Sequence, residues 1–330
     1  MKIAYIACDN GLGHIRRSLL VSEKLCTFSD VKVFCDTEKF LKIKSKYGLS
    51  ELISNENIGF SLNEKNLNNY KKAKTFFKKI KEYNPDLIIS DNLIHYNFFR
   101  YSKTIFIANF FWHEINRNLF IRLRNAFVLN YFKPVIFGSK IFATESVRKQ
   151  ENFHPIGLVD TNQKELINTK DSILISGGST NIIRSELQSL IAYLLNKELD
   201  ISNIFVDDQL KIPNTERMGF SITKADYSNE MFSKLKLAVV RPGLGVISEL
   251  LKRKVAIFSL DLENNNEIKS NNFFLEKNKL AVAYKEISEE IVLDISKFLK
   301  GDIKFENFYS DFTGADSIRS YIRNLRDSNE

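Results

Sequence analysis

Short apolar runs of strand length recur along the chain, each followed by a turn and then by apolar residues at helical spacing. Lys2 to Cys8 leads into Asp9-Asn10-Gly11-Leu12-Gly13, after which Ile15, Leu19, Leu20 and Leu25 repeat with the period of a helix. Val31 to Cys35 predicts a second strand, ending at Asp36. Glu64 to Tyr83 predicts a basic helix closed by Asn84-Pro85, and Asp86 to Asp91 a buried strand with polar residues at its carboxyl end. Thr104 to Ala108 is a further strand, and Val135 to Phe142 contains another. The pattern then restarts: Ser172 to Ser176 is a strand, Gly177-Gly178-Ser179-Thr180-Asn181 a turn, and Ile182 to Leu195 a helix. Asn203 to Val206, Leu237 to Val240 and Val255 to Leu260 predict more strands. The loop Arg241 to Gly245 opens a helix over Val246 to Lys252.

Strands alternating with helices through short connections imply parallel sheets covered on both faces. Two strand–turn–helix openings roughly 170 residues apart imply an α/β fold of two Rossmann-like domains, 1–158 and 159–313. The boundary is expected in the polar stretch His154 to Asn168, and a last helix near 314–326 is expected to pack back on the first domain.

Charge divides unevenly between these halves. Up to Pro155 there are 25 basic against 14 acidic residues, and after it 23 against 26, so the first half is the one suited to an anionic surface or acceptor. The three cysteines, Cys8, Cys26 and Cys35, have no metal-ligand spacing. Met1-Lys2 runs straight into a strand and no run of 18 apolar residues occurs, so a cytoplasmic protein is expected.

In an open parallel sheet, ligands bind beyond the carboxyl ends of the strands, and the candidate residues gather there. Gly11 and Gly13 allow a tight turn before a helix start that favours an anion; with Arg17 they are expected to meet substrate. They match two glycines of a dinucleotide fingerprint, with Asp36 in the ribose position, but Arg16 stands where the third glycine belongs and would crowd a pyrophosphate. His14 places an imidazole at the head of that helix, where a general base is useful; a capping histidine without chemistry is the plainer alternative. Gly177, Gly178, Ser179 and Thr180 form a small-residue cradle for phosphate oxygens, without the Lys of a P-loop. The third block runs Arg241-Pro242-Gly243-Leu244-Gly245, then Ser248 and Glu249, then Asn266, Glu267 and Asn271. Glu249 lies one turn beyond the glycine loop, placed for two ribose hydroxyls.

This block resembles the nucleotide-sugar signature of GT-B glycosyltransferases. The amino-terminal Gly-x-Gly-His-x-x-Arg is similar to that of the lipid-linked N-acetylglucosaminyltransferases of peptidoglycan synthesis and of the UDP-sugar hydrolases of the pseudaminic-acid pathway. The resemblance covers nearly the whole chain. It implies two domains facing each other across a cleft. Glu249 would hold the ribose, Gly243, Leu244 and Gly245 with Gly178 and Ser179 the pyrophosphate, and Asn266 and Glu267 the donor sugar. His14 would be the base or its helper. Arg253-Lys254 departs from the usual Gly-x, Val255 stands where proline is common, and Glu267 stands where glutamine is typical.

Asp91 follows one long strand and His113 and Glu114 follow the next, so Asp91 or His113 are alternatives to His14 as base. Seven lysines between Lys65 and Lys81, and the aromatic and arginine-rich stretch Asn109 to Phe132, suit contact with the inner face of an anionic membrane; a solvated surface over an aromatic core is the plainer reading. The expected function is transfer of a sugar from a nucleotide-sugar, UDP-linked by resemblance, to a glycan or lipid-linked hydroxyl. No cofactor or metal is expected, since no Asp-x-Asp stands at a strand end, and no nucleic-acid partner. A nucleotide-sugar hydrolase and a non-catalytic nucleotide-sugar-binding protein are the rivals.

Overall fold

The computed structural model describes residues 1–9, 11–115, 119–160, 169–178, 182–213, 219–305 and 308–328. It forms two compact units, Met1–Thr161 with Asp311–Glu330, and Asn162–Ser310.

The first unit is built on strands β1 (Lys2–Ala7), β2 (Asp30–Cys35), β3 (Ser54–Asn57), β4 (Leu87–Asp91), β5 (Lys103–Ile107), β6 (Val135–Ser139) and β7 (Phe153–Ile156). All pair in parallel in the order β3-β2-β1-β4-β5-β6-β7, so the order reverses between β1 and β4. Its helices are α1 (Leu12–Leu25), α2 (Thr37–Tyr47), α3 (Glu64–Leu67), α4 (Tyr70–Tyr83), α5 (Phe98–Tyr101), α6 (Trp112–Ile115), α7 (Leu119–Phe132) and α8 (Glu145–Arg148).

The second unit carries β8 (Ser172–Ser176), β9 (Asn203–Val206), β10 (Ser221–Lys224), β11 (Leu235–Val240), β12 (Ala256–Leu260) and β13 (Val282–Tyr284), again parallel, in the order β10-β9-β8-β11-β12-β13. With them come α9 (Arg184–Leu194), α10 (Asn229–Lys234), α11 (Leu244–Lys252), α12 (Asn266–Lys277) and α13 (Glu289–Lys300). The last helix, α14 (Gly314–Asp327), belongs to the first unit.

Alternation along β1 shows why the strands read as unbroken apolar runs. Ile3, Tyr5 and Ala7 join one core with Ile15 and Leu19 of α1 and with Ile318 and Ile322 of α14. Ala4, Ile6 and Cys8 join the opposite core with Phe76, Phe77 and Ile80 of α4 and Val128 and Leu129 of α7. Both faces are buried, so neither can be polar.

The chain crosses between the units at 161/162 and 310/311, and just inside the first unit its two passes are stitched together. Leu158 N–H donates to the Asp311 carbonyl at 2.9 Å, Gly314 N–H to the Leu158 carbonyl at 3.1 Å, and Val159 bridges to Thr313. A Cβ at Gly314 would collide with the Gly157 carbonyl, so this crossing requires glycine. The predicted single helix over Glu64 to Tyr83 is two, because the Asn69 side chain accepts from Lys72 N–H and starts α4 afresh.

Candidate active site

The strand order of the first unit brings together residues far apart in sequence. Asp91 ends β4 opposite Ala7 of β1, and α1 begins beside it. Gly11, with φ of 145°, makes the turn that starts α1, and Gly13 lies in its first turn. His14 and Arg17, one turn apart on that helix, therefore both reach Asp91.

Asp91 is fully buried. His14 Nδ1 lies 2.7 Å from Asp91 Oδ1. Arg17 donates from Nε to Oδ2 at 2.8 Å and from Nη2 to Oδ1 at 2.5 Å. Burial pushes the Asp91 carboxyl up, but Arg17 and His14 outweigh it and hold it below the ordinary carboxylate value. With Nδ1–H committed to an ionised carboxylate, the bare nitrogen of His14 is Nε2. Both oxygens of Asp91 are occupied by these contacts. Arg17 spends its guanidinium on Asp91. Trp112 of α6 stands beside the imidazole, ring centroids 6.4 Å apart.

His113 is also on α6, but its side chain lies outside the described residues. Glu114 accepts from Phe111 N–H, Thr144 and Ser146, and burial raises its carboxyl. Asp36 caps α2 by accepting from Lys39 N–H at 2.9 Å. Arg16, in the third glycine position, is buried over the Tyr47 ring.

His95 is buried against Phe77 and accepts from Asn97 N–H at 3.2 Å. Burial, helped by the nearby Arg124 charge, lowers its value to about 3 from 6.5. Between those pH values the unfolded chain binds the extra proton, so stability rises with pH across the window and is complete above it. Urea titrations between about pH 4 and 5.5 should lose a slope of about 1.4 kcal/mol per pH unit in His95→Gln. An unchanged slope would mean that the folded imidazole is already protonated.

In the second unit the carboxyl ends of β8, β9, β11 and β12 carry a second cluster. Gly177 N–H donates to Asp207 Oδ2 at 2.6 Å, and Gly178, with φ of 72°, donates to Ser176 Oγ at 3.1 Å. Tyr227 bridges Ser176 Oγ and Asp207 Oδ1. The Gly177 amide expected to meet phosphate is thus held by a carboxylate from the loop after β9. Ser179 and Thr180 lie outside the described residues.

Gly243 caps α11 with no side-chain acceptor, and Leu244 and Gly245 form its first turn. Arg241 forms an ion pair with Glu263. Ser248 and Asn271, expected to touch substrate, are buried and bonded internally. Ser248 Oγ donates to the Gly245 carbonyl at 3.1 Å, and Asn271 Nδ2 to the Pro242 carbonyl at 2.9 Å, which holds the glycine loop. Glu249 is buried in an ion pair with Arg253, whose guanidinium also bonds Asn229 Oδ1 and lies over Phe232. Asn266 and Glu267 sit in the first turn of α12, where Asn265 accepts from Glu267 N–H at 2.9 Å. Among the described residues no group of three His, Cys, Asp and Glu could hold a metal ion.

No protein-family model matches the sequence, and no curated protein matches it. Solved structures do. The chain superposes on Arabidopsis thaliana UGT89C1 complexed with UDP at a TM-score of 0.66 and 13% identity, over 97% of this chain and 94% of that one. For the spinosyn forosaminyltransferase SpnP the values are 0.65 and 13%, over 98% and 95%. For Acinetobacter baumannii MurG they are 0.62 and 12%, over 98% and 99%.

The chain has the GT-B fold. Within that fold, the sequence singled out His14, Asp91, Arg241 and Glu249 as candidates but not their partners. Asp207, Tyr227 and Arg253 carried no motif. The available signal was position: Asp207 directly follows β9, the strand beside β8, and so must stand next to the Gly177 turn. Arg253 showed only as a departure from the usual glycine of GT-B sequences.

Proposed function

We propose that the protein is a glycosyltransferase that moves a sugar from a nucleotide-sugar, UDP-linked in the simplest case, to a glycan or lipid-linked hydroxyl. The observation that carries this reading is the His14–Asp91 contact of 2.7 Å in a chain of GT-B fold. His14 Nε2 takes the proton of the acceptor hydroxyl as its oxygen bonds to the anomeric carbon. The bond from that carbon to the diphosphate breaks, and its electron pair leaves with the nucleotide. Asp91 stabilises the imidazolium formed in the step. Gly243, Leu244 and Gly245 at the amino end of α11 bind the departing diphosphate, and Glu249 the ribose. Asn266 and Glu267 meet the sugar. No metal enters this scheme. UDP bound to one similar structure supports the nucleotide assignment.

The acceptor side of the reading includes a membrane contact. Val128 and Leu129 of α7 enter the core, and Asn125 is tied to buried Glu64, which leaves Leu119, Phe120, Leu123, Phe127 and Tyr131 outward at 59% to 77% exposure. Lysines 71, 74 and 78 are exposed on α4, which covers the same sheet face. An apolar stripe beside basic residues suits an anionic bilayer at the cytoplasmic surface. No helix among the described residues is long and apolar enough to cross a membrane.

The test is nucleotide release from UDP-, GDP-, dTDP- and CMP-sugars, first in water and then with lipid extract in phosphatidylglycerol vesicles. Release only with lipid supports transfer. Release at a catalytic rate in water makes the protein a hydrolase, and no binding of any donor removes the reading.

A further inference from the structure

We propose that Arg17 is a positioning residue that fixes the Asp91 carboxylate for His14 and opposes the positive charge His14 acquires when it takes a proton. Three observations carry this. Arg17 engages both oxygens of Asp91, from Nε to Oδ2 and from Nη2 to Oδ1, so the carboxylate plane is set by a two-point clamp. Its Nη2 shares Oδ1 with the imidazole, so His14 receives only part of the carboxylate's negative charge. Nη2 also lies 3.2 Å from His14 Nδ1. With Nδ1–H already directed at Oδ1, that approach sets two donors side by side and repels an imidazolium more than a neutral ring.

The remaining groups around the pair do not supply this effect. Tyr5 of β1 is fully buried, and burial followed by the Asp91 charge keeps its phenol neutral. Cys8 lies within electrostatic reach of Arg17, Asp9 is paired with Lys39, and Trp112 carries no charge. Of these groups, Arg17 is the cation in direct contact with the imidazole. Burial disfavours the Arg17 charge, and Asp91 more than offsets it, so the guanidinium stays charged throughout.

The direct test is proton NMR of the histidine Cε1–H signals of the intact protein. There are four histidines, and His14→Gln identifies the one at issue. In Arg17→Met the midpoint of the His14 signal is expected to move up by about one pH unit or more. Arg17→Gln, which keeps a donor for the buried carboxylate, is the second variant and should move the same way. Arg17→Lys, which keeps the charge without the fork, should stay closer to the wild type. An unmoved midpoint in a folded Arg17→Met or Arg17→Gln protein would overturn the proposal. The measurement needs no turnover, so it is read separately from the transferase reading on which the catalytic meaning rests. If that reading holds, the acid limb of kcat in Arg17→Gln moves in step with the signal, with donor KM little changed.

Discussion

His14→Ala is expected to lower sugar transfer by about 10² to 10⁴-fold while leaving nucleotide binding within a factor of about two, the range by which a positioned general base contributes. The asymmetry follows from where the residue stands. His14 belongs to the first unit, on α1, and the groups assigned to the donor belong to the second, on α11 and α12. Removing the imidazole takes away the proton acceptor and no donor contact. Asp91→Asn should cost turnover by a similar order, since an amide can no longer hold Nδ1–H against an ionised partner. Its stability cost is larger than that of His14→Ala. Arg17 would be left without its counter-charge beside a fully buried side chain, a loss of about 3–5 kcal/mol. Calorimetric titration with UDP and thermal unfolding, run beside the transfer assay, separate these effects. Transfer within about threefold of wild type in a His14→Ala protein would remove His14 from the chemistry.

The candidate residues of the two units differed in how far the sequence exposed them. His14 was legible because a glycine turn between a strand and a helix fixes its place locally. Asp91 was legible as the polar end of an apolar strand. Their partnership was not, because it depends on β4 lying next to β1 across 77 residues of chain, and strand order is a tertiary fact. The same limit hid the internal partners of Ser248 and Asn271, since polar residues near a glycine loop can satisfy the loop's own carbonyls. The short strand β3, Ser-Asn-Glu-Asn, has no apolar alternation at all. It exists because Lys32 to Cys35 of β2 present a parallel edge to it. Elements built on their own periodicity, such as β1, β4, β8 and β11, were close to their observed limits.

The second large effect concerns Glu249, where structure and resemblance assign the same carboxylate two partners. It is buried and paired with Arg253 four residues on, which is itself buried and tied to Asn229 of α10. Glu249→Ala is therefore expected to do two things at once. It should weaken donor binding by about 10 to 150-fold, the loss of a charged hydrogen bond of about 1.5–3 kcal/mol. It should also strand a buried guanidinium, destabilising the fold by about 3–5 kcal/mol. Because an unstable protein also binds poorly, the single variant proves little. The informative protein is Glu249→Gln combined with Arg253→Met, which removes both charges from a buried site at nearly constant volume. A neutral, packed pair of this kind is expected to restore most of the stability lost in either single variant. Donor binding should not return with it, since an amide presents one acceptor where the ribose contact needs a carboxylate. Wild-type affinity for UDP in that folded double variant would show that Glu249 serves the fold of the second unit alone, with the ribose read by other groups.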